Sequence, residues 1–168
     1  MRRSAAFPEL IERHDRALRA LAFRLLGDRD RMDDVLQEAY VRAYRALPRF
    51  RGRSLPGTWL YRIVYNACID ELRRERPDRR LPLAAVEAAP EADPADVAAG
   101  RAALVAALAA LPVDQRAAVL LVDAQGFDYA SAAEVLGVRV GTLASRLSRA
   151  RAALRAALEP TSEGAESR

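Results

Sequence analysis

Apolar residues recur every three to four positions along the first half of the chain, a period typical of helices that bury one face. The period is clear from Leu10 to Leu25, and Gly27 follows as a residue that commonly ends a helix. A second stripe of apolar residues runs from Met32 to Leu47. The predicted helices span about 10–25, from Asp28 or Asp30 to Pro48, and about 58–74.

The second half of the chain contains four further helical stretches, separated by proline and glycine. They span about 101–110, 114–124, 128–136 and 141–158. The longest carries an apolar stripe that comprises Leu143, Leu147, Ala150, Leu154 and Leu158. A short helix, a turn containing Gly137 and a longer arginine-bearing helix stand in the order typical of a helix-turn-helix. Two helices of an ordinary bundle would give the same pattern, so both interpretations stay open at this point.

A stretch of different composition separates the two halves. Residues 79–100 include Pro82, Pro90 and Pro94, no aromatic residue and no sustained period, which is typical of a linker. The sequence therefore predicts an all-α protein of two small helical domains joined by a flexible linker. The expected segments are a first domain over 1–78, an acidic linker over 79–100, a second domain over 101–159 and a tail over 160–168.

The positive charge of the chain rests entirely on arginine. The 168 residues include 27 Arg and no Lys, against 23 Asp and Glu, which gives a net charge of +4. Residues 1–80 have 19 Arg and 12 acidic residues (+7), residues 81–100 have four acidic residues (−4), and residues 101–158 have seven Arg and four acidic residues (+3). Two basic domains thus flank an acidic linker, a distribution compatible with nucleic-acid binding.

Several classes of function lack the residues they need. A single cysteine, Cys68, and a single histidine, His14, cannot form a zinc site, an internal disulfide or a histidine-based triad. Because there is also no glycine-rich phosphate loop and no suitable carboxylate pair, we expect no enzyme activity, no cofactor and no metal. The N-terminus lacks an apolar signal region, and no stretch reaches the roughly 18 apolar residues of a membrane span. The sequence predicts a soluble, cytoplasmic protein.

The second predicted helix carries an unusual outward face. Steps of about 100° per residue place five residues in one sector opposite the apolar stripe: Asp34, Gln37, Glu38, Val41 and Arg45. A solvated helix surface accounts for the polar members. The apolar Val41 among them is compatible with a surface for docking a partner, so both interpretations stay open at this point.

Arginine and asparagine form a second stripe on the third predicted helix. Arg62, Asn66 and Arg73 lie at helical spacing away from its apolar face, after a loop that contains Arg51 and Arg53. Such a stripe can bind phosphates and bases, or it can simply be basic surface. The aromatic residues Trp59, Tyr61 and Tyr65 could stack on unpaired bases, although an aromatic residue at a helix start is more often a core anchor.

The last predicted helix also has a polar side near its N-terminal end. Ser145, Arg146, Ser148 and Arg149 lie away from the leucine stripe. A recognition helix contacts base edges from this end, and arginine can pair bidentately with guanine. An ordinary amphipathic helix is the alternative interpretation.

Three stretches, taken in order, are more specific than any one of these features. The three stretches are DDVLQEAYVRAYRAL, FRGRSLPGTWLYRIVYNACIDELRRER and ALAALPVDQRAAVLLVDAQGFDYASAAEVLGVRVGTLASRLSRARAALRAAL. Together they resemble the extracytoplasmic-function (group 4) sigma factors of the sigma-70 family. The resemblance covers about residues 7–76 and 101–158. It implies a sigma-2 domain, a linker and a sigma-4 domain.

The resemblance also implies roles for particular residues. Asp34, Gln37 and Glu38 match the family's DLVQE motif, which docks on the β′ clamp helices of core RNA polymerase, and Val41 lies beside them. Residues 50–58, here called the capture loop, match the loop that captures a flipped base of the minus-10 element. The residues expected at the minus-10 element are Arg51, Gly52, Arg53, Ser54, Thr58, Trp59, Arg62, Asn66 and Arg73. Those expected at the minus-35 element are Arg116, Thr142, Ser145, Arg146, Ser148 and Arg149, with Arg116 as a phosphate contact.

The implied partners are core RNA polymerase, through its β′ clamp helices and β flap, and promoter DNA. An anti-sigma factor is a further partner that the sequence leaves open. The alternative function is a helix-turn-helix transcriptional regulator without a role in polymerase specificity. Such a regulator would need neither the outward face of the second helix nor the capture loop.

Overall fold

The computed structural model describes residues 2–74 and 94–159, and within these ranges the chain forms helices and turns without strands. This confirms the all-α prediction. The helices are α1 (Arg2–Leu26), α2 (Arg29–Ala46), α3 (Pro56–Arg74), α4 (Pro94–Ala110), α5 (Val113–Val119), α6 (Tyr129–Leu136) and α7 (Val140–Leu158). A 3₁₀ turn, Leu47–Arg49, follows α2, and a π-helical turn, Leu120–Ala124, continues α5.

The first three helices pack into a bundle whose turns are set by local chemistry. Gly27 ends α1 with a positive φ of 73°, a conformation that costs glycine little. Asp28 then caps α2, its carboxylate accepting a hydrogen bond from the Arg31 N–H at 2.9 Å. The largest fully buried side chains of this bundle are Leu18, Leu21, Leu25, Leu26, Leu36, Leu60 and Val64. Each contributes on the order of 1.5–3 kcal/mol by leaving water.

The remaining helices form the second half, which contains the predicted helix-turn-helix. The Asp128 side chain caps α6 by accepting from the Ser131 N–H at 2.8 Å. Gly137 ends α6 in the left-handed conformation, with φ of 66°. The short turn that follows leads directly into α7, which buries Leu143, Leu147 and Ala150.

The two halves lie against each other in this structure. The Tyr61 ring of α3 meets the Phe127 ring edge to face, with centroids 4.8 Å apart. The Gln125 side-chain amide donates to the carbonyl oxygen of Ala17 at 3.0 Å. Buried residues of both halves consequently form one continuous apolar cluster.

Several predicted boundaries are wrong by a few residues. The helix α4 begins at Pro94, so residues 94–100 of the predicted linker are helical. Proline fits the first turn of a helix because its missing N–H has no intrahelical partner there, and the alanines that follow favour helix. Residues 79–93 of the linker and the tail 160–168 lie outside the described residues. The leucine stripe of α7 also ends early, since Leu158 is 42% exposed.

Candidate functional site

The predicted docking face of α2 lies on the surface, as its spacing indicates. Asp34, Gln37 and Glu38 are exposed, and Val41 is 45% exposed. Tyr44, one helical turn beyond Val41, is 56% exposed and extends the apolar part of this face. The sequence analysis did not include Tyr44, although its spacing of three residues from Val41 was a usable signal.

Part of this face is held by ion pairs. The Glu38 carboxylate accepts a hydrogen bond from the Arg42 guanidinium at 2.5 Å, and Arg42 also lies 3.4 Å from Asp70 of α3. A second network joins α1 to α2, since Arg19 pairs with both Asp15 and Asp33. The Tyr40 hydroxyl donates to Asp15 at 2.9 Å, and burial raises the pKa of Tyr40 above its usual range. These contacts fix the orientation of α2, and with it the direction of the docking face.

The polar stripe of α3 is exposed along its length. Arg62, Asn66 and Arg73 all lie on the surface. Tyr61 and Tyr65 are 3% and 7% exposed, and burial raises the pKa of Tyr61 to about 12. Stacking on unpaired bases by these two tyrosines is therefore not possible in this arrangement, because their rings lie in the core. Trp59 is half-buried beside Phe50, with ring centroids 5.0 Å apart.

The capture loop presents its arginines to solvent. Arg51, Gly52 and Arg53 are exposed, and Ser54 is half-buried. Leu55, which the sequence analysis passed over, is 72% exposed. Thr58 differs from the expectation: it lies two residues inside α3 and is 5% exposed, so its side chain is not on the surface shared by the others.

The N-terminal half of α7 has a polar surface with internal hydrogen bonds. Thr142, Ser145, Ser148 and Arg149 are exposed. The Ser145 hydroxyl donates to the carbonyl oxygen of Thr142 at 2.9 Å, and the Arg149 guanidinium donates to the carbonyl oxygen of Ser145 at 3.2 Å. These contacts hold Arg149 close to the helix surface. Arg146 is instead half-buried and pairs with Asp114 at 3.1 Å.

The predicted phosphate contact of Arg116 is contradicted by its position. Arg116 is 6% exposed, and its guanidinium donates to the carbonyl oxygens of Ala109 at 2.8 Å and Leu111 at 3.1 Å. It also approaches the carbonyl oxygens of Arg24 and Leu25, at 3.4 and 3.5 Å. Arg116 thus holds together the C-terminal ends of α4 and α1, where carbonyl groups lack intrahelical donors. The same burial lowers the pKa of Arg116.

An apolar groove in the second half lies between α4, the π-helical turn and α7. The residues that line it include Leu104, Leu108, Leu120 and Leu154, with a cavity volume of about 380 Å³. At its edge, the Arg151 guanidinium forms two hydrogen bonds with Asp123, at 3.0 and 2.6 Å. This groove is here called the α4–α7 groove. Leu104 is 41% exposed at this groove, while Leu108 and Leu120 are buried, so an apolar surface is partly open to a partner here.

Residues 2–74 and 94–159 hold no group of three or more His, Cys, Asp or Glu side chains placed to bind a metal ion. None of the helices in these ranges is long and apolar enough to cross a membrane.

Comparison with known families matches both halves of the chain. Sigma-70 region 2 matches residues 10–77, and Sigma-70, region 4 matches residues 101–154. The ECF RNA polymerase sigma factor SigM of Mycobacterium tuberculosis (strain ATCC 25618 / H37Rv) is 44% identical over 149 residues, which cover 89% of this chain and 75% of that protein. The ECF RNA polymerase sigma-E factor of Escherichia coli (strain K12) is 32% identical over 170 residues, covering 92% of this chain and 87% of that one.

Two solved structures have a similar arrangement of helices. The sigma factor RpoE of Bartonella quintana, in complex with the anti-sigma factor NepR, superposes with a TM-score of 0.74 at 29% identity, covering 92% of this chain and 98% of that chain. CnrH, in complex with the cytosolic domain of CnrY, gives a TM-score of 0.70 at 30% identity, covering 94% of this chain and 90% of that chain.

Proposed function

The chain belongs to the extracytoplasmic-function RNA polymerase sigma factors of the sigma-70 family, and we propose how its surfaces divide the work of promoter-specific initiation. The first half binds the polymerase clamp and opens the minus-10 element. The second half binds the β flap and reads the minus-35 element. The observation that carries this assignment is the exposure, on separate helices, of the α2 docking face, the α3 stripe and the polar side of α7.

The α2 face is the proposed contact with the β′ clamp helices. Asp34, Gln37 and Glu38 provide carboxylate and amide oxygens for basic partner groups, and Val41 provides an apolar contact at the centre. The ion pairs of α2 with α1 and α3 mean that little ordering is needed on binding, which favours affinity.

The capture loop and the α3 stripe are the proposed minus-10 site. Arg51 and Arg53 provide charge for the strand backbone, and Asn66 provides both a donor and an acceptor for the edge of an unpaired base. An unpaired base exposes the edges and faces that duplex DNA hides, so this site fits opened rather than double-stranded DNA.

The polar side of α7 is the proposed minus-35 site. Thr142, Ser145, Ser148 and Arg149 lie where a recognition helix enters the major groove. The pairing of Arg146 with Asp114 makes it a weaker candidate for DNA contact in this conformation. Arg116 is not part of the proposed site, because its guanidinium is buried and donates to backbone carbonyl oxygens.

Other surfaces and properties complete the proposal. The α4–α7 groove is the proposed binding site of the β flap, since it is lined by apolar residues and Leu104 in it is exposed. An anti-sigma factor is a proposed regulator because one structural relative, the sigma factor RpoE of Bartonella quintana, is described in complex with the anti-sigma factor NepR. We also propose that the chain has no catalytic activity of its own and works in the cytoplasm with polymerase.

Run-off transcription with core polymerase tests the function directly. Adding this chain to core polymerase is expected to yield transcripts from a subset of promoters in a genomic library, whereas core polymerase alone yields none. A helix-turn-helix regulator without a polymerase role is the alternative. That alternative does not explain why residues 10–77 match region 2. It predicts binding to duplex DNA but no transcript with core polymerase.

A further inference from the structure

A groove between α1 and the capture loop is separate from the α3 stripe. It has a volume of about 360 Å³, within the range of small-ligand sites. Its apolar walls are Phe7, Leu10, Leu47, Phe50, Pro56 and Trp59. Arg62, Asn66 and Arg73 do not line it. This cavity is here called the α1 groove.

The walls of the α1 groove suit a flat aromatic ligand. Phe50 and Trp59 lie side by side in one wall, with ring centroids 5.0 Å apart and planes inclined by 40°. Phe7 of α1 also lines the groove, and its ring packs edge to face against Tyr44. Nucleobases stack on such side chains in sites that bind single strands, because every base has an apolar face.

Charged groups at the rim narrow the ligand class further. Glu9 and Arg13 line the groove from successive turns of α1, and both are exposed. A carboxylate can only accept hydrogen bonds, so Glu9 favours a base with an exocyclic amino group. Arg13 can bind the adjoining phosphate. A purely apolar peptide segment would use neither group, so a nucleotide fits the groove better.

The α1 groove is continuous with the proposed minus-10 site. Phe50, Gly52 and Pro56 belong to the capture loop and also line the groove, and Trp59 follows the loop directly. Trp59 and Asn66 lie seven residues apart on α3, which is about 10 Å along the helix axis. A strand held at Asn66 therefore passes close to the groove within a few nucleotides.

We propose that the α1 groove binds a second unpaired base of the captured promoter strand, and that this base carries an exocyclic amino group. This inference rests on the proposed capture of a first base at Asn66. The two bases would hold the opened strand at two points, which favours the open complex over the duplex.

Abasic substitutions in a premelted promoter test the proposal with the complete holoenzyme. Each position of the captured strand is replaced in turn, and the affinity of holoenzyme for each DNA is measured. Wild type is expected to lose affinity by about tenfold at two positions, a loss of about 1.4 kcal/mol at each. Asn66→Ala should remove the sensitivity at one position. Ala6→Trp, which fills the groove from its exposed rim, should remove the sensitivity at the other.

A matched pair of variants tests the amino-group requirement. Glu9→Gln should weaken the preference for cytosine, adenine or guanine over thymine at the second position, whereas Glu12→Gln, an exposed α1 residue outside the groove, should not. Both variants should bind core polymerase normally in the absence of DNA.

The other outcomes are distinguishable. Sensitivity at the Asn66-dependent position alone would overturn the second base site and leave the minus-10 proposal intact. Sensitivity at no position, with Asn66→Ala neutral, would overturn the minus-10 proposal itself. Weaker core binding by Ala6→Trp without DNA would assign the groove to polymerase and overturn the base site.

Discussion

Arg149 is the side chain expected to read the minus-35 element most directly. Its neighbours on the polar side of α7 are short, and its guanidinium already lies along the helix at Ser145. We expect Arg149→Ala to cost about 1–3 kcal/mol at one base position and to relax the preference there. Transcription from a promoter library randomised at the minus-35 element measures this.

Arg155→Ala is the matched control for that experiment, because Arg155 is also exposed on α7 but lies nearer its C-terminal end. It should leave base preference unchanged. If Arg149→Ala instead weakened transcription from all sequences equally, Arg149 would be a phosphate contact.

His14 is expected to make stability depend on pH. Its ring packs at the start of α3, where a Cβ added to Gly57 would come within 2.9 Å of it. Burial, and to a lesser extent Arg13, lowers the pKa of His14. As pH falls through about 6.5, the unfolded chain therefore binds more protons than the folded one, and the free energy of unfolding decreases.

Urea unfolding at about pH 7.5 and pH 5.5 measures this effect in wild type and in His14→Gln. The variant should lose less stability on acidification, since the carboxylates titrate alike in both proteins. Equal losses would show that His14 is as exposed to protons in the folded state as in the unfolded chain.

Among the helices, α2 is the one that we expect to bind core polymerase. We expect Glu38→Lys to weaken core binding by roughly tenfold, because one charged contact at an interface contributes on the order of 1.4 kcal/mol. The substitution also removes the intramolecular pair with Arg42. That pair is half-exposed, so its loss should change stability little.

Competition with a labelled sigma factor for core polymerase measures the affinity, and circular dichroism checks the helix content. Glu12→Lys makes the same charge change on an exposed part of α1 and should bind normally. Equal affinities of the two variants would contradict the assignment of the α2 face.

The order of the helices followed from the sequence, while some of their ends and contacts did not. The spacing of apolar residues and the residues at the helix ends were sufficient to predict α2 and α6. The end residues Asp28, Gly27, Asp128 and Gly137 act locally. The burial of Arg116 could not be predicted, since half of its carbonyl partners come from α1, more than 90 residues away. The α1 groove was missed for the same reason: it forms only when α1 packs beside the capture loop.

In the whole molecule, the contact between the two halves is the feature with the largest consequence for function. Promoter positions 35 and 10 are 25 base pairs apart, which is about 85 Å of duplex at about 3.4 Å per base pair. The described residues, 2–74 and 94–159, form a packed body that is only about 40 Å across. The proposed contacts with both elements at once therefore require the two halves to separate on the promoter.

The contact that must break also includes Arg116 and the shared apolar cluster, but two of its side chains can be removed without changing a proposed DNA site. Gln125 binds a carbonyl oxygen of α1, and Phe127 packs on Tyr61. We expect the double variant Gln125→Ala, Phe127→Ala to populate separated halves in the free protein. Labels at Glu12→Cys and Arg155→Cys report the distance by energy transfer, and Cys68 should not react because it is fully buried.

The same variant is also expected to bind core polymerase more tightly. If only separated molecules are competent to bind both polymerase surfaces, the packed state reduces the apparent affinity by the fraction it occupies. Loosening the contact should raise the affinity several-fold, with base preferences at both promoter elements unchanged because neither substituted residue belongs to the proposed DNA sites. A longer label distance without any gain in core affinity would show that the packed arrangement does not restrain polymerase binding.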